Sequence, residues 1–410
     1  MMLSSLENKI KYFLLGLIFV YNIRFIGAIN SGEIISSIYV LFNLRKISLS
    51  NELKILIKVS LFYVLLIAIS DIYNSNSLYN SLKGAFTPIV ILVTIIFLIN
   101  FFTNKRKEFI IFLIGCIFSQ TFNIILFSDL LIEPENPWKW GLGLNVFFLV
   151  YLFELFNEKK FSYLKIIILN VTFIIISLFF ASRAITIIIL LSTFFYFIAN
   201  LNRNILKSFV FKSTFFLFPI LIFSLILSLS LTTNLTSKFS VFEDLNQKNQ
   251  MQVSDDINII FSARPEYLIY TTVFAEKPFL GHGSYPNDIN FFYRNLLNNY
   301  RYDNYLTTNL PVQKYYNDAN KEIPTHSYIF ESLISHGVLS LIYWLFFTYF
   351  IVSIYARNSA SMNFFFHVKI ITFCYSLFFS PLAYGERLNI ELLMCLLFIF
   401  YLERNNKSEF

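Results

Sequence analysis

Long runs of apolar residues recur along the whole chain, and they limit the folds that it can adopt. Many of these runs reach about 18–20 residues, the length with which a helix crosses a bilayer core of roughly 30 Å. Of the 410 residues, 56% are hydrophobic and only 14% are charged, too few polar groups to cover a soluble protein of this size. Because a helix satisfies its own backbone hydrogen bonds in lipid, we expect an all-α polytopic membrane protein.

The apolar runs divide the chain into about twelve predicted transmembrane helices. The second run is short and needs tilting or extension to cross, and the seventh and eighth are separated only by Ser182-Arg183. The domains expected are residues 1–231 with nine helices, a large loop at 232–328, and residues 329–410 with three helices. The predicted spans are about 11–29, 33–44, 55–72, 84–102, 109–127, 138–156, 164–181, 184–200, 213–231, 329–353, 364–381 and 388–402.

Lysine and arginine concentrate in every second connection between these spans. Examples are Arg45-Lys46, Lys105-Arg106-Lys107 and Lys159-Lys160, whereas the opposite connections are short and poor in basic residues. The positive-inside rule then predicts that both termini are cytoplasmic and that the 232–328 loop is on the other side. Within that loop, 266–276 is predicted as a helix and 288–306 as an amphipathic helix along the membrane surface.

Several classes of site are missing from the sequence. The cysteines lie in apolar runs without metal-type spacing, which is typical of small buried hydrophobes. No phosphate-binding glycine loop, no dinucleotide fingerprint and no DxD-type carboxylate pair with metal-ligand spacing at the outer face is present. We therefore expect no metal, no cofactor and no nucleic-acid partner, and a reaction at the outer face would need a substrate that is already activated.

Three residues are the main candidates for such chemistry. Arg183 lies between two predicted spans, where it either snorkels to the interface or binds an anion. Arg264 lies in the large loop and His326 where that loop rejoins the membrane. Guanidinium groups bind phosphate oxygens in pairs, and histidine accepts protons near neutral pH, although a solvated arginine and an interfacial histidine are the plainer interpretations. Further candidates for substrate contact, each also explicable as an anchor or a turn residue, are Arg24, His282 and Arg387.

The order of these residues resembles a known family. An arginine in "SRAITIIILL" (182–191) precedes the large loop with Arg264, which is followed by "AEKPFLGHGSYPND" (275–288) and "PTHSYIFESLISHGVLSLIYWLFF" (324–347). This pattern resembles the O-antigen polymerase and O-antigen ligase superfamily, whose members have an arginine, then "P..G.G", then a histidine motif that enters a membrane helix. Ser327 stands where that motif commonly has asparagine, and Ser340 where it commonly has a second glycine.

The resemblance implies an inverting, metal-independent glycosyltransferase of the GT-C type in the bacterial inner membrane. Its donor would be an oligosaccharide on undecaprenyl diphosphate at the periplasmic face. By carry-over, Arg183 and Arg264 would bind the diphosphate, and His326 would take the proton of the acceptor hydroxyl. Membrane lipid and a polysaccharide co-polymerase that regulates chain length are the other implied partners. His336, about ten residues further on, is expected to be a structural residue beside Gly337.

Two activities of that superfamily fit the chain. A polymerase joins lipid-linked repeat units, whereas a ligase transfers the finished chain to lipid A-core. We favour the polymerase because ligases more often have glycine or tryptophan soon after "SR", where this chain reads "SRAITII". A protein O-oligosaccharyltransferase is a third relative. A carrier or flippase for lipid-linked sugars is the alternative from another class, although its polar residues should lie within the spans.

Overall fold

The protein is almost entirely helical in the part of the chain that the structure describes. The computed structural model describes residues 2–24, 28–126, 136–157, 161–180, 182–201, 266–288, 292–293, 323, 327–380 and 384–402. The only strands in these ranges form a short antiparallel hairpin, Asn22–Arg24 (β1) and Ala28–Asn30 (β2). The helices are α1 (Met2–Phe19), α2 (Ser31–Asn43), α3 (Asn51–Tyr73), α4 (Leu78–Phe102), α5 (Arg106–Leu126), α6 (Gly143–Phe156), α7 (Tyr163–Phe179), α8 (Arg183–Leu201), α9 (Glu266–Glu276), α10 (Tyr328–His336), α11 (Leu341–Asn358), α12 (Phe364–Phe379) and α13 (Tyr384–Leu397).

Five helical segments of the described residues are long and apolar enough to cross a membrane. Three shorter apolar helices, α6, α7 and α12, accompany them. Large apolar side chains such as Leu65, Ile72 and Phe122 are exposed on the outside of the bundle, as expected of a surface that faces lipid. The chain is therefore an α-helical membrane protein. The five segments are Asn51–Tyr73, Leu78–Phe102, Arg106–Leu126, Arg183–Asn200 and Val338–Ser361.

The first predicted span differs from the structure. Instead of a helix over 11–29, α1 ends at Phe19 and the chain turns into the β1–β2 hairpin. The hairpin leads directly into α2, where the Glu33 carboxylate accepts a hydrogen bond from the backbone nitrogen of Asn30 at 2.8 Å. Asn30 and Glu33 form a capping box at the start of α2. A new helix therefore begins close to the residue at which the first span was predicted to end.

The predicted break between the seventh and eighth spans is confirmed, whereas the tenth span is interrupted. α7 ends at Phe179 and α8 begins at Arg183. The run predicted at 329–353 instead forms α10, stops at Gly337, and resumes through a 3₁₀ turn at Val338–Ser340 into α11. Gly337 has φ of +72°, a conformation that side chains disfavour, and a Cβ there would overlap the backbone of Phe279. The predicted span at 213–231 lies outside the described residues.

The helices pack around α4 and α12, and most side chains of α12 are buried. α2, α3 and α13 pack against α4, while α6 and α8 pack against α12. α1 approaches α5 closely, because Gly16 and Gly115 leave no room for a Cβ between the two backbones. The predicted helix at 266–276 is confirmed as α9, which contacts α10. Most of the predicted surface helix at 288–306 lies outside the described residues.

Candidate functional site

A cavity opens at the end of the bundle where α3 leads into α4. Its volume is about 740 Å³, including its open mouth. Helices α3, α4, α10 and α11 form its walls together with the turn at 284–286. Its lining residues are Tyr63, Ile67, Gly84, Thr87, Pro88, Ile91, Ser284, Tyr285, Pro286, Ile323, Tyr328, Glu331, Ser332, Ser335, His336, Tyr343 and Trp344.

Two segments that are distant in sequence make one wall of this cavity. The backbone nitrogen of His282 donates to the carbonyl of Ile334 at 2.8 Å, and that of Gly283 donates to Ser335 at 2.7 Å. Val338 donates to the carbonyl of Pro278 at 2.8 Å. The glycine-rich turn of the "P..G.G" pattern is therefore bonded through its backbone to the helix of the histidine pattern.

Residues in the last turn of α3 and in the turn that leads to α4 form hydrogen bonds that hold this wall in place. The Ser70 hydroxyl donates to the carbonyl of Ser335 at 3.0 Å, and the Asn74 amide donates to the carbonyl of Gly281 at 3.0 Å. The Asn76 amide donates to Asp71 at 2.7 Å and to the carbonyl of Ser284 at 3.0 Å. Polar residues in "SDIYNSN" (70–76) thus satisfy backbone groups of the turn that would otherwise be buried without partners.

A chain of side-chain hydrogen bonds crosses the buried side of the cavity. Asp71 Oδ2 accepts the Ser284 hydroxyl at 2.9 Å, and Ser284 Oγ lies 3.2 Å from His336 Nε2. On the other side of the imidazole, Nδ1 lies 3.3 Å from the Tyr63 hydroxyl. Tyr63 and Ser332 are 3.0 Å apart. These hydrogen bonds join α3, the turn at 284–286 and α10, and all of the groups that form them are buried.

One assignment of protons satisfies every member of this chain. The indole nitrogen of Trp344 donates to Ser332 Oγ at 2.6 Å, so the Ser332 hydroxyl hydrogen is free to point to Tyr63. Tyr63 can then donate to Nδ1 of His336, whose Nε2–H donates to Ser284, and Ser284 donates to the Asp71 carboxylate. This direction requires a neutral His336 that carries its proton on Nε2.

The electrostatics of His336 agree with that assignment. Burial lowers the pKa of His336 to about 4, and the nearby Asp71 carboxylate acts in the opposite direction with a smaller effect. The imidazole is therefore neutral at pH 7 and able to both donate and accept. His336 was expected to be a structural residue next to Gly337, and the structure instead places it in the cavity wall, at the centre of the polar chain.

The outer part of the cavity carries charged groups as well. Glu331, on α10, is half-buried and lines the cavity. The ammonium of Lys83 lies 3.6 Å from the centre of the Tyr285 ring, a cation–π contact that orients this ring over the opening. Aromatic rings with adjacent carboxylate and hydroxyl groups suit a sugar, which stacks its apolar face and hydrogen-bonds its hydroxyls.

The start of α10 is fixed by Ser327. Its hydroxyl accepts a hydrogen bond from the backbone of Phe330 at 3.3 Å, as an N-cap does, and donates to the carbonyl of Leu377 in the last turns of α12 at 2.8 Å. The family motif commonly has asparagine here, which is also a good N-cap. His326 immediately precedes this cap in sequence but lies outside the described residues, as does Arg264.

Arg183 lies at the same end of α12 as the start of α10. The ring of Tyr196, near the end of α8, contacts Phe364 and His367 at the start of α12, so these two packed helices run in opposite directions. Arg183 begins α8, thirteen residues earlier and therefore about 20 Å away along the helix. This distance along α8 places Arg183 beside the last turn of α12, close to the Leu377 carbonyl that accepts the hydrogen bond from Ser327.

His282 and Arg387 are not among the residues that line the cavity. Arg24 is the last residue of β1. His282 Nε2 lies 2.9 Å from the carbonyl of Val273, and 4.0 Å from Glu276, so it joins the turn to α9. Arg387 forms an ion pair with Glu33, with Nε 2.9 Å from Oε1. Within the described residues, no group of three or more His, Cys, Asp or Glu could hold a metal ion.

The candidates predicted from the sequence did not include Asp71, Ser284 or Tyr63, and His336 was not expected to line the cavity. The available signal was Asp71 itself, a carboxylate near the end of an apolar run and two residues before the "YNSN" stretch at 73–76. A carboxylate at that depth requires a partner, yet its partner Ser284 is too distant in sequence for a pattern to reveal.

Comparisons with known proteins identify no family for this chain. No protein-family model matches the chain, and no curated protein or solved structure is significantly similar to it.

Proposed function

We propose that this protein is a membrane glycosyltransferase that joins undecaprenyl-diphosphate-linked repeat units of a surface polysaccharide, as an O-antigen polymerase does. The cavity is at the end of the bundle away from the basic connections, and this end would face the periplasm of a bacterial inner membrane. Both termini would then be cytoplasmic. A ligase that transfers the lipid-linked glycan to lipid A-core is the alternative within the same chemistry.

The observation that carries this proposal is the union of the two motif segments in one cavity wall. The turn at 278–283 and helix α10 are bonded backbone to backbone, and the N-cap of α10, Ser327, is the residue after His326. This arrangement supports the family resemblance, since residues separated in sequence would need such contact to act on one substrate. The position of Arg183 at the α10 end of α12 supports it in the same way.

The proposed reaction is a direct displacement at the anomeric carbon of the donor. An acceptor hydroxyl attacks that carbon, the carbon–oxygen bond to the diphosphate breaks, and undecaprenyl diphosphate leaves with the bonding electrons. His326 takes the proton of the acceptor hydroxyl, while Arg183 and Arg264 neutralise the charge that develops on the leaving diphosphate. The aromatic and hydroxyl groups of the cavity would bind the sugar that carries the attacking hydroxyl.

The test is transfer by the purified protein in liposomes that contain lipid-linked repeat units. We expect Arg183→Ala, Arg264→Ala and His326→Ala each to lower chain formation by a factor on the order of 100 or more, the usual effect of removing such groups. Arg45→Ala, which removes an exposed arginine at the opposite end of the bundle, is the matched control. Normal product from the His326 and Arg264 variants would refute the catalytic proposal.

A deletion strain separates polymerase from ligase. If the gene encodes the polymerase, its loss leaves lipid A-core that carries a single repeat unit. If it encodes the ligase, its loss leaves bare core while long lipid-linked polymer accumulates.

A carrier for lipid-linked sugars is the second candidate, and one observation favours it. Glu33, Glu154, Lys369 and Glu391 are buried within the helices, so the bundle contains more ionisable side chains than its sequence suggested. Loss of a carrier would leave repeat units in the inner leaflet, where a membrane-impermeant oxidant or lectin added outside cannot reach them. Normal exposure of repeat units in the deletion strain would exclude it.

A further inference from the structure

A second polar cluster lies beside the cavity and is built from three charged residues. Glu33, in the first turn of α2, is 1% exposed at its side chain, and both of its carboxylate oxygens approach the guanidinium of Arg387, at 2.9 and 3.3 Å. One of these oxygens also accepts the backbone nitrogen of Asn30. The charge of Glu33 is therefore fully compensated by one arginine and one peptide group.

Glu391 follows Arg387 by one helical turn on α13 and has no such compensation. It is fully buried, and neither of its carboxylate oxygens has a hydrogen-bond partner. The Thr94 hydroxyl of α4 lies near the carboxyl, but its oxygen has no hydrogen-bond partner either.

The other charged and titratable groups around Glu391 offset a negative charge on it only in part. Arg387 attracts such a charge, but Arg387 is bound to Glu33, and the repulsion from the Glu33 carboxylate is the larger effect. Tyr343 of α11 lies near Glu391 and carries no positive charge. Lys369 of α12 binds Asn389 at 3.3 Å, and Asn389 is two positions before Glu391, on a different face of α13.

An ionised Glu391 would place two buried carboxylates against one arginine. A buried and uncompensated carboxylate is very costly in an apolar environment, and a proton removes that cost. We propose that Glu391 is a proton-binding site in the interior of this protein, occupied at neutral pH and kept apart from the ion pair of Glu33 with Arg387.

The location of this site relates it to the cavity. Thr94 is one helical turn from Ile91, which lines the cavity, and Tyr343 is common to the cavity wall and to the surroundings of Glu391. The proton therefore lies directly behind the cavity wall. Release of this proton would place a buried negative charge behind Tyr343 and Ile91.

Dicyclohexylcarbodiimide provides a test that does not depend on the proposed function. A protonated carboxyl adds to this apolar reagent: its proton goes to a nitrogen, its oxygen bonds to the central carbon, and the adduct rearranges to a stable N-acylurea without loss of any atom. We expect mass spectrometry to find the adduct on Glu391 at neutral pH and not on Glu33, which is an internal control at a similar depth. Glu391→Gln should remove the adduct and leave the thermal unfolding midpoint unchanged, because glutamine mimics the neutral acid.

Glu33→Gln provides the sharper test. It removes the negative charge of Glu33, so Arg387 then favours an ionised Glu391 without opposition from a second carboxylate, and labelling of Glu391 should fall by about tenfold or more. Thr94→Val keeps the charges unchanged and should leave labelling intact.

Infrared spectroscopy tests the same protonation state without requiring that a reagent reach Glu391. The infrared spectrum of the folded protein at neutral pH should contain the carbonyl stretch of a protonated carboxyl, and Glu391→Gln should remove it. Absence of both this band and the adduct would overturn the proposal. Protection from the reagent by sodium ions at constant pH would also overturn it, because the site would then bind a metal cation in place of the proton.

Discussion

Asp71 and Ser284, which are 213 positions apart in sequence, are joined by two hydrogen bonds. The carboxylate accepts the backbone nitrogen of Ser284 on one oxygen, at 2.5 Å, and its hydroxyl on the other, at 2.9 Å. Asp71 is 2% exposed. A buried carboxylate at the end of α3 therefore fixes the turn that forms one wall of the cavity.

Removal of this carboxylate should loosen the turn. Asp71→Ala leaves the Ser284 nitrogen and the Asn76 amide without their acceptor, which we expect to lower the free energy of unfolding by about 3 kcal/mol. Asp71→Asn keeps one acceptor oxygen and should have a smaller effect. The measurement is thermal unfolding in detergent, with the exposed Glu7→Gln as control. Equal unfolding midpoints for Asp71→Ala and Glu7→Gln would contradict the anchoring role.

Gly337 should tolerate no side chain. Alanine there combines an unfavourable φ of +72° with overlap between its Cβ and the Phe279 carbonyl, so we expect a loss of roughly 2 kcal/mol or more. Leu339→Ala, two residues away and 40% exposed, is the control. If Gly337→Ala unfolds at the same temperature as Leu339→Ala, the close contact between α10 and the turn is wrong.

His336 should make stability depend on pH in a defined window. The unfolded imidazole has a pKa near 6.5, and burial lowers the folded value to about 4. Below pH 6.5 the unfolded chain therefore binds a proton that the folded protein excludes. The free energy of unfolding from this group is complete above pH 6.5 and falls by about 3 kcal/mol as the pH decreases to 4.

His336→Asn should flatten this dependence. Denaturant unfolding between pH 7 and pH 4.5 measures the slope, and His282→Gln, a change to the half-buried histidine outside the cavity, should keep it. An unchanged slope in His336→Asn would show that other groups dominate the acid response.

A bulky side chain placed inside the cavity should weaken substrate binding. Thr87→Phe on α4 extends a ring into the cavity, and we expect the KM for the acceptor repeat unit to increase by about tenfold, since a hydrophobic group of this size excludes part of a sugar. Ile89→Phe, on the exposed side of the same helix, adds similar bulk outside the cavity. Identical kinetics for the two variants would place substrate binding elsewhere.

The three cysteines should be unreactive in the folded protein. Cys116, Cys374 and Cys395 are free thiols and are at most 3% exposed. Maleimide should therefore label none of them in mild detergent and all of them after denaturation. The interpretation of these residues as small buried hydrophobes is confirmed by their burial, and rapid labelling of the native protein would contradict the packing of α5, α12 and α13.

Much of the helical architecture follows from the sequence alone. The apolar runs predict the positions of α3, α4 and α5 within a few residues, because a span in lipid must be both helical and long. Ser182-Arg183 divides α7 from α8 for the same reason, since an uninterrupted run would exceed the membrane thickness. The composition excludes a soluble fold, and the polar "GHG" and "SHG" stretches mark irregular backbone.

The tertiary structure alone decides which polar residues meet. The pairing of Asp71 with Ser284, and that of Glu33 with Arg387, joins residues with no local relation in sequence, so no periodicity reveals either pair. The interruption of the tenth span at Gly337 likewise depends on the backbone of Phe279, which occupies the space that a side chain would need. Hydrophobic length is a property of each segment by itself, whereas buried polar contacts exist only after the segments have packed.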